Sequence, residues 1–250
     1  MATPPFLFSG VLREAGIPHA FTTRAAGTMG RGTDDPAVVG ANRAAAVRAL
    51  GCDPARAVEA DQVHRSVVTV VGAADAGRSI PGADGLATQD AGTVLAVHAA
   101  DCVPLLLADP RHGTVAAVHA GWRGVAAGIP AEAVRVVTGL GSAPGDLLAA
   151  IGPSIGPCHY EVDGPVIEAM RRWPWWREVA RPNPRGRWQL DLRSSCVRQL
   201  LETGVAAGQI DVLGLCTYEH PELLFSYRRE RVTGRIAGLI AVPYQGGGNG

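Results

Sequence analysis

The sequence contains no lysine, and all 23 of its Lys/Arg side chains are arginine. This absence excludes chemistry that depends on a lysine amine, namely Schiff-base catalysis and the phosphate-binding loop that carries a lysine. The arginines are balanced by 23 acidic residues, so the formal net charge is +0. Because no excess positive charge attracts phosphate backbones or anionic lipids, we expect no nucleic-acid partner.

The sequence also lacks a long apolar run. No segment offers the roughly 18 uncharged apolar residues that a membrane helix needs. The first residues, MATPPFLFSGVLREAG, do not follow the pattern of a secretory signal. The cysteines are few, odd in number and widely spaced, unlike a disulfide framework; they are Cys52, Cys102, Cys158, Cys196 and Cys216. We therefore expect a cytoplasmic protein with reduced thiols and no membrane partner.

The apolar content of the chain is sufficient for a large core. Of its 250 residues, 47% are hydrophobic and 18% are charged, which is typical of a well-buried globular protein. No internal repeat of solenoid length and no linker divides the chain. We predict one α+β domain over residues 1–250, with mixed β-sheets flanked by helices and a loose tail at residues 243–250.

Several segments carry helix signals, including residues 164–172. The clearest runs from Asp35 to Gly51, where the aspartate can cap the helix, the next residue is a proline suited to the first turn, and the glycine can end it. A second helix is predicted over residues 123–140, with a kink or a restart at Pro130. A third helix is predicted to begin at Asp191, which can cap it.

Two other segments are predicted without helices. Residues 6–24 read as a short strand, a turn and a second strand. Residues 171–188 are rich in tryptophan and arginine and are interrupted by prolines, so we predict an irregular connection there.

Reactive side chains occur where strand-like runs end. Two buried runs in residues 94–109 are interrupted just before Cys102. The next apolar run, TVAAVHAGWRG, delivers His119 to a glycine-flanked turn. His64 lies near a break in a segment that reads as two short strands or one kinked strand. Any chemistry of this chain is therefore expected at these strand ends.

His64, Cys102 and His119 form a possible three-ligand metal site. Zinc accepts thiolate sulfur and imidazole nitrogen, and catalytic zinc sites commonly use three protein ligands. Copper also binds two histidines and one cysteine with a weak axial methionine. A metal-free alternative makes Cys102 a thiolate nucleophile and His119 its base. Spacing alone does not choose among these, because buried structural histidines and cysteines produce the same pattern.

Arginines and aromatic residues near the glycine-rich turns are candidates for substrate binding. Arginine grips phosphate or carboxylate with its forked guanidinium, although each arginine also suits a surface ion pair. Aromatic rings stack on planar ligands or plug the core. These candidates are Arg24, Arg123, Arg228, Arg229, Trp122, Tyr160 and Tyr227.

Six motifs, in order along the chain, resemble those of the laccase-domain family, once called multicopper polyphenol oxidases. They are DQVH (61–64), ADGLAT (83–88), AADCVPLLLADP (99–110), AAVHAGWRG (116–124), IGPSIGPCHYEV (151–162) and FSYRRERVTGR (225–235). The resemblance implies that His64, Cys102 and His119 are zinc ligands, with the substrate at the open position. It also implies a single α/β domain of mixed sheets flanked by helices.

The resemblance further implies zinc-dependent phosphorolysis of adenosine- or inosine-type nucleosides, deamination of adenosine, or both. The partners are then a purine nucleoside and phosphate, and no oligomeric state is predicted. Arg24 is the first candidate for a catalytic, phosphate-binding residue and Arg123 the second. Asp84 is a candidate for substrate binding, and Asp84 or Asp101 for shuttling a proton or orienting a ligand histidine.

Three alternatives remain beside this interpretation. They are a copper-dependent polyphenol oxidase, a metal-free Cys-His hydrolase and a non-catalytic, zinc-stabilised ligand-binding protein. A single His2Cys site lacks the further copper cluster that four-electron reduction of oxygen needs, and the chain has only 7 histidines. Zinc is therefore favoured over copper.

Four features depart from the family pattern. The segment TMGRGTDD stands where the family has Ser-Leu-Asn-Leu, and Arg65 replaces the glycine after the first ligand. His159 and Glu219 each stand where a cysteine is common. These departures concern the substrate wall rather than the three metal ligands.

Overall fold

The computed structural model describes residues 3–30 and 34–243 of the chain. The helices in these residues are α1 (Gly10–Glu14), α2 (Pro36–Ala49), α3 (Trp122–Ala127), α4 (Ile129–Gly139), α5 (Gly164–Met170), α6 (Trp176–Val179), α7 (Leu192–Glu202) and α8 (Tyr227–Glu230). The strands are β1 (Phe6–Leu7), β2 (His19–Thr22), β3 (Ala57–Ala60), β4 (Val68–Val70), β5 (Ser79–Ile80), β6 (Gly85–Thr88), β7 (Val94–Ala99), β8 (Val103–Asp109), β9 (Thr114–Ala120), β10 (Leu148–Ile151), β11 (Glu161–Val162), β12 (Ala180–Pro182), β13 (Trp188–Leu190), β14 (Ile210–Val212) and β15 (Ile236–Ala241). Residues 244–250 of the predicted tail and residues 31–33 of the TMGRGTDD segment lie outside the described residues.

The strands form two large mixed sheets and one small sheet. Sheet I has the order β1-β2-β15-β7-β3-β5, and sheet II has the order β14-β10-β8-β9-β6-β4. Each contains parallel and antiparallel pairs, whereas the small sheet β11-β13-β12 is antiparallel. The predicted class, mixed β-sheets flanked by helices, is confirmed.

Sheet II is buried on both faces, which explains its continuous apolar runs. Leu105 and Leu107 in β8 belong to the core that includes α4 and α7. Leu106 and Ala108 alternate with them and belong to the core shared with sheet I. Because successive side chains of a strand point to opposite faces, a strand covered on both sides is apolar at most of its positions.

The predicted helix signals correspond to the observed helix ends. The Asp35 side chain accepts a hydrogen bond from the N–H of Ala37 at 2.7 Å, and α2 begins at the next residue, Pro36. The helix predicted over residues 123–140 is two helices, α3 and α4. Gly128 separates them with φ of 94°, so the predicted restart near Pro130 is confirmed.

Two segments contain more regular structure than predicted. Helix α1 lies between β1 and β2 in residues 6–24; its five residues are too few to show periodicity, yet Leu12 is fully buried. The connection predicted to be irregular at residues 171–188 contains α6 and β12. Burial of Trp175 and Trp176 in the core favours this structure, and that long-range contact has no local signal. None of the helices in the described part of the chain is long and apolar enough to cross a bilayer.

Candidate metal centre and substrate cavity

Two crossings between the large sheets bring His64, Cys102 and His119 together. His64 lies in the connection from β3 of sheet I to β4 of sheet II, and Cys102 lies between β7 of sheet I and β8 of sheet II. His119 is near the end of β9, where it pairs with Pro104 in β8. Cys102 is two residues before Pro104, and residues two apart in an extended chain share a face. Cys102 and His119 therefore lie on the same side of the neighbouring strands β8 and β9.

The geometry of this trio suits a metal ion. One potential ligand atom from each of His64, Cys102 and His119 lies within 4.8 Å of the others. The two imidazole rings are 4.7 Å apart between centroids and nearly perpendicular, at 89°. His119 is buried, Cys102 is half-buried and His64 is exposed, so the trio is accessible from one side. Two imidazoles and one thiolate form a donor set that zinc accepts, with a fourth position open.

Asp84 is a fully buried carboxylate behind the trio. Its Oδ1 accepts the N–H of His64 at 2.8 Å and lies 3.0 Å from Nδ1 of His119, while its Oδ2 accepts the N–H of Arg65 at 2.6 Å. A carboxylate on Nδ1 leaves Nε2 of His119 as the nitrogen available to a metal. The position of Asp84 therefore fits the predicted role of orienting a ligand histidine. Asp84 does not line the cavity onto which the trio opens, so it is not placed to contact a substrate there.

The charges of the trio favour a thiolate. Burial opposes ionisation of Cys102, but the charge and hydrogen bond of His119, together with those of His64, lower the pKa of the thiol to about 6. Burial lowers the pKa of His119, but Cys102 and Asp84 outweigh it and raise the pKa to about 9. Cys102 thus reaches the anionic form that metals and nucleophilic catalysis require at neutral pH.

The backbone around the trio is strained. Gln62, His64 and Asp101 have φ values of 55°, 61° and 93°, in a region that residues with a Cβ atom adopt at a cost. The buried carboxylate of Asp84 accepts three consecutive N–H groups of residues 63–65, which offsets this cost. The exposed ligand His64 is therefore held by hydrogen bonds to its main chain.

Gly121 is a glycine because the trio lies directly beside it. A Cβ atom at this position would lie 3.0 Å from Sγ of Cys102 and 3.1 Å from Cδ2 of His64. Its φ of −75° is available to any residue, so the restriction comes from space rather than from the backbone. The chain therefore leaves room at the point where the three side chains meet.

The trio opens onto a cavity of about 650 Å³, large enough for a small-molecule substrate. Its wall combines aromatic rings with arginines and acidic groups. The lining residues include Gly30, Arg43, Glu59, Asp61, Gln62, His98, Asp101, Trp122, Arg123, Tyr160, Tyr227, Arg228, Arg231 and Arg235. Five of the seven aromatic and arginine candidates from the sequence are therefore located on this wall.

Arg228 and Asp101 hold each other at the wall. The N–H of Arg228 donates to Oδ2 of Asp101 at 2.6 Å, and its guanidinium donates to the carbonyl of Glu161 at 2.8 Å. The same guanidinium lies 5.1 Å from the ring centre of Tyr160. Burial raises the pKa of Tyr160, so its hydroxyl stays protonated and can donate a hydrogen bond. Elsewhere on the cavity wall, the guanidinium carbon of Arg123 lies 4.4 Å from the ring centre of Trp122.

The structure does not bring Arg24 to this wall. Its guanidinium pairs with Glu230, donates to the carbonyl of Leu224 at 3.1 Å and lies 4.4 Å from the ring centre of Phe225. Arg229 is similarly occupied, because it donates to the carbonyls of Thr217 and Leu224. A phosphate-binding role for Arg24 stays a prediction that requires indirect action through Glu230.

Sequence reasoning missed several wall residues. Arg231 and Arg235 lie within the quoted motif FSYRRERVTGR, and Gln62 lies within DQVH, so the motifs carried their only signal. Arg43 comes from α2, which has the sequence of an ordinary scaffold helix. Its position on the wall depends on the packing of α2 against sheet I, which no local pattern encodes.

The three single residues that depart from the family pattern, Arg65, His159 and Glu219, lie in two places. The N–H of Arg65 donates to Asp84, which any residue other than proline can do, and its side chain is exposed. His159 and Glu219 do not line the cavity; with Cys158 and Cys216 they form a separate cluster of potential ligands.

Comparisons with known proteins identify the family of the chain. Residues 12–243 match the model of a family described as multi-copper polyphenol oxidoreductase laccase. A purine nucleoside phosphorylase of Streptomyces coelicolor is 43% identical over 215 residues, covering 83% of this chain and 84% of that protein. Another from Corynebacterium glutamicum is 38% identical over 245 residues, covering 92% and 96%. The crystal structure of YlmD from Geobacillus stearothermophilus superimposes with a TM-score of 0.91 at 35% identity, covering 97% and 98% of the two chains. The chain therefore belongs to the multi-copper polyphenol oxidoreductase laccase family.

Proposed function

We propose that this protein is a zinc-dependent purine nucleoside phosphorylase that also deaminates adenosine. The observation that carries the proposal is the convergence of His64, Cys102 and His119 beside a cavity lined with aromatic rings and arginines. Relatives that cover most of the chain bear the name purine nucleoside phosphorylase. The substrates would be adenosine or inosine together with inorganic phosphate.

The donor set favours zinc over copper at the trio. A copper site of the two-histidine, one-cysteine type takes a methionine as a weak axial ligand. Met29 lines a neighbouring cavity of about 260 Å³, and Met170 is packed in the helical core. Neither of these methionines, which are the two in the described residues, lines the cavity of the trio.

His64, Cys102 and His119 would hold the zinc ion, with Asp84 fixing the tautomer of His119. When bound, zinc would supply Lewis acidity, which polarises a coordinated oxygen. Deamination would add water at C6 of adenosine and release ammonia, giving inosine. Phosphorolysis instead breaks the bond between the base and the sugar: a phosphate oxygen bonds to C1′, the base departs, and ribose 1-phosphate forms. The two reactions are distinguishable because only phosphorolysis consumes phosphate.

The cavity wall offers groups for each part of the substrates. Trp122 and Tyr160 present aromatic surface on which a purine can stack. Arg123 and Arg228 present guanidinium groups suited to phosphate. Asp101, held by the hydroxyl of Thr217 at 2.6 Å, presents a carboxylate that can accept hydrogen bonds from ribose.

Arg24 is proposed as a positioning residue. Arg24 pairs with Glu230, which also pairs with Arg229. Glu230 and Arg229 both belong to α8, the helix that carries Arg228. Loss of Arg24 would therefore weaken phosphate binding by displacing Arg228. The expected effect of Arg24→Ala is a raised KM for phosphate with a smaller change in kcat.

Product analysis tests the proposed function. Purified wild type, His119→Ala and the control His112→Ala, which alters an exposed histidine in the turn between β8 and β9, are incubated with adenosine and inosine, with and without phosphate. The wild type and the control should release adenine and hypoxanthine only with phosphate, and inosine from adenosine without it. Loss of a ligand should reduce both rates by at least about a hundredfold.

The same assay separates the alternatives. Equal rates in wild type and His119→Ala would refute the metal mechanism. Nucleoside binding without any turnover in zinc-replete protein would favour a ligand-binding protein. Oxidation of a phenol by copper-loaded protein, with no nucleoside turnover, would favour the oxidase. Hydrolytic activity that survives chelation but not alkylation of Cys102 would favour the Cys-His hydrolase.

A further inference from the structure

A second cluster of metal-binding side chains lies outside the cavity. Potential ligand atoms of Cys158, His159, Cys216 and Glu219 lie within 4.8 Å of one another. Cys158 and His159 follow the glycine-rich turn after β10, and the other two follow β14. The fold thus brings together two loops that are distant in sequence, and each contributes one cysteine and one other ligand.

The distances in this cluster resemble those of a tetrahedral zinc site. With Zn–S of about 2.3 Å and Zn–N or Zn–O of about 2.0 Å, neighbouring ligand atoms lie roughly 3.3–3.8 Å apart. The two sulfur atoms are 4.0 Å apart, and Nδ1 of His159 lies 3.1 Å from Sγ of Cys158. That nitrogen is 3.9 Å from Sγ of Cys216 and 3.7 Å from Oε1 of Glu219. Each of these four separations is within about 0.4 Å of the tetrahedral value for its own pair of atoms, so small side-chain movements would bring the ligands onto a zinc ion.

Neighbouring groups support a metal-bound form of these ligands. The N–H of Gly156 donates to Sγ of Cys216 at 3.2 Å, as outer hydrogen bonds to metal-bound sulfur do. A Cβ atom at Gly156 would lie 3.1 Å from Sγ of Cys158 and 2.6 Å from Nη2 of Arg193, so the absence of a side chain at Gly156 lets the loop approach the sulfur without displacing either group. His159 is stacked on Tyr218 with a centroid distance of 4.3 Å, which fixes its ring.

We propose that Cys158, His159, Cys216 and Glu219 bind a second zinc ion in a structural site. Four protein ligands close the coordination sphere, in contrast to the open position that a catalytic zinc site keeps. Two sulfurs, one imidazole nitrogen and one carboxylate select zinc over magnesium or calcium, which prefer oxygen ligands.

Residues adjacent in sequence to this second site contact or form one wall of the substrate cavity. Thr217, next to Cys216, donates its hydroxyl to Asp101 and its N–H to the carbonyl of Ser154. Tyr160 follows His159 directly and lines the cavity. A zinc ion between the two loops would therefore fix the positions of Tyr160 and Asp101 relative to each other.

Metal analysis tests this proposal without reference to activity. Zinc-replete wild type should contain about two zinc ions per chain after gel filtration, whereas Cys158→Ser and His119→Ala should each contain about one. Cys52→Ser, which alters a thiol outside both clusters, should keep about two. One zinc ion in the wild type and none in His119→Ala would overturn the proposal.

Two further measurements cover failure of the cysteine variant to fold. Glu219→Gln changes an exposed ligand and should speed the release of one zinc ion to a chelator while the other is released at the wild-type rate. Cobalt-loaded His119→Ala should retain intense thiolate-to-metal absorption from Cys158 and Cys216. The proposal would be overturned if both zinc ions were released from Glu219→Gln at the wild-type rate, or if peptide mass spectrometry found a Cys158–Cys216 disulfide in protein with a single zinc ion.

Discussion

The two clusters of potential ligands differ in the charges that surround their thiols. Cys102 faces two histidines, and the interaction with them lowers its pKa to about 6 against the opposing effect of burial. For Cys158, burial and the negative groups of Cys216 and Glu219 raise the pKa to about 11. The thiol of Cys102 is therefore ionised at neutral pH without a metal ion. In the second cluster the negative groups repel one another, and a bound cation would offset that repulsion.

The clusters also differ in the number of ligands and in access. Three potential ligands at the cavity would leave an open coordination position on a metal ion, whereas four potential ligands between two loops would leave none. The same residue types thus suit chemistry in one place and structure in the other.

Removal of Asp84 should have the largest effect. Asp84→Ala leaves the N–H groups of residues 63–65 and Nδ1 of His119 without their buried acceptor. We expect zinc affinity at the trio to fall by about 10- to 100-fold and the free energy of unfolding to fall by about 3 kcal/mol. Chelator competition and denaturant titration measure the two quantities.

The matched control is Asp146→Ala, which removes a surface ion pair with Arg111. It should change the free energy of unfolding by less than about 1 kcal/mol and leave both zinc ions in place. Equal zinc affinity in Asp84→Ala and wild type would show that Asp84 does not orient His119.

Gly121→Ala should weaken metal binding by His64, Cys102 and His119 while leaving the fold intact. The added methyl group would lie 3.0 Å from Sγ of Cys102, so the ligands must shift. We expect zinc affinity at the trio to fall by about tenfold, with little change in stability. Gly40→Ala in helix α2, where a Cβ atom meets nothing within 4 Å, should instead stabilise the protein by about 0.5 kcal/mol and leave zinc binding unchanged.

Alkylation of the zinc-free protein should separate the two thiols by pH. Because the pKa of Cys102 is lowered to about 6, its thiolate persists at neutral pH and is lost as the pH falls through 6. Cys158, with a pKa raised to about 11, should react slowly until the pH approaches that value. Peptide mass spectrometry after iodoacetamide pulses at pH 5 to 9 follows both sites. Parallel pH profiles for the two cysteines would contradict the electrostatic difference.

The sequence was sufficient for those parts of the fold that have local causes. The cap at Asp35, the restart near Pro130 and the long apolar runs of β8 and β9 follow from propensity and burial. Cys102 and His119 were identifiable because each interrupts or ends an apolar run. Their partner His64 was tied to them by the motif resemblance rather than by local pattern.

Residues brought to the site by packing were not predictable. Arg43 reaches the cavity from a helix whose sequence indicates only a scaffold role, and Arg24 pairs with Glu230 instead of lining the cavity. The second cluster illustrates the same limit. His159 and Glu219 were noted only as departures from a motif, and their convergence with Cys158 and Cys216 depends on two loops that meet in the folded chain.

Anomalous diffraction at the zinc edge, from crystals of protein that is active in the product assay, tests the central claim most directly. We predict a peak between the side chains of His64, Cys102 and His119, with substrate phosphate or nucleoside on its open side. A fully active protein with no metal peak among these three residues would contradict the account.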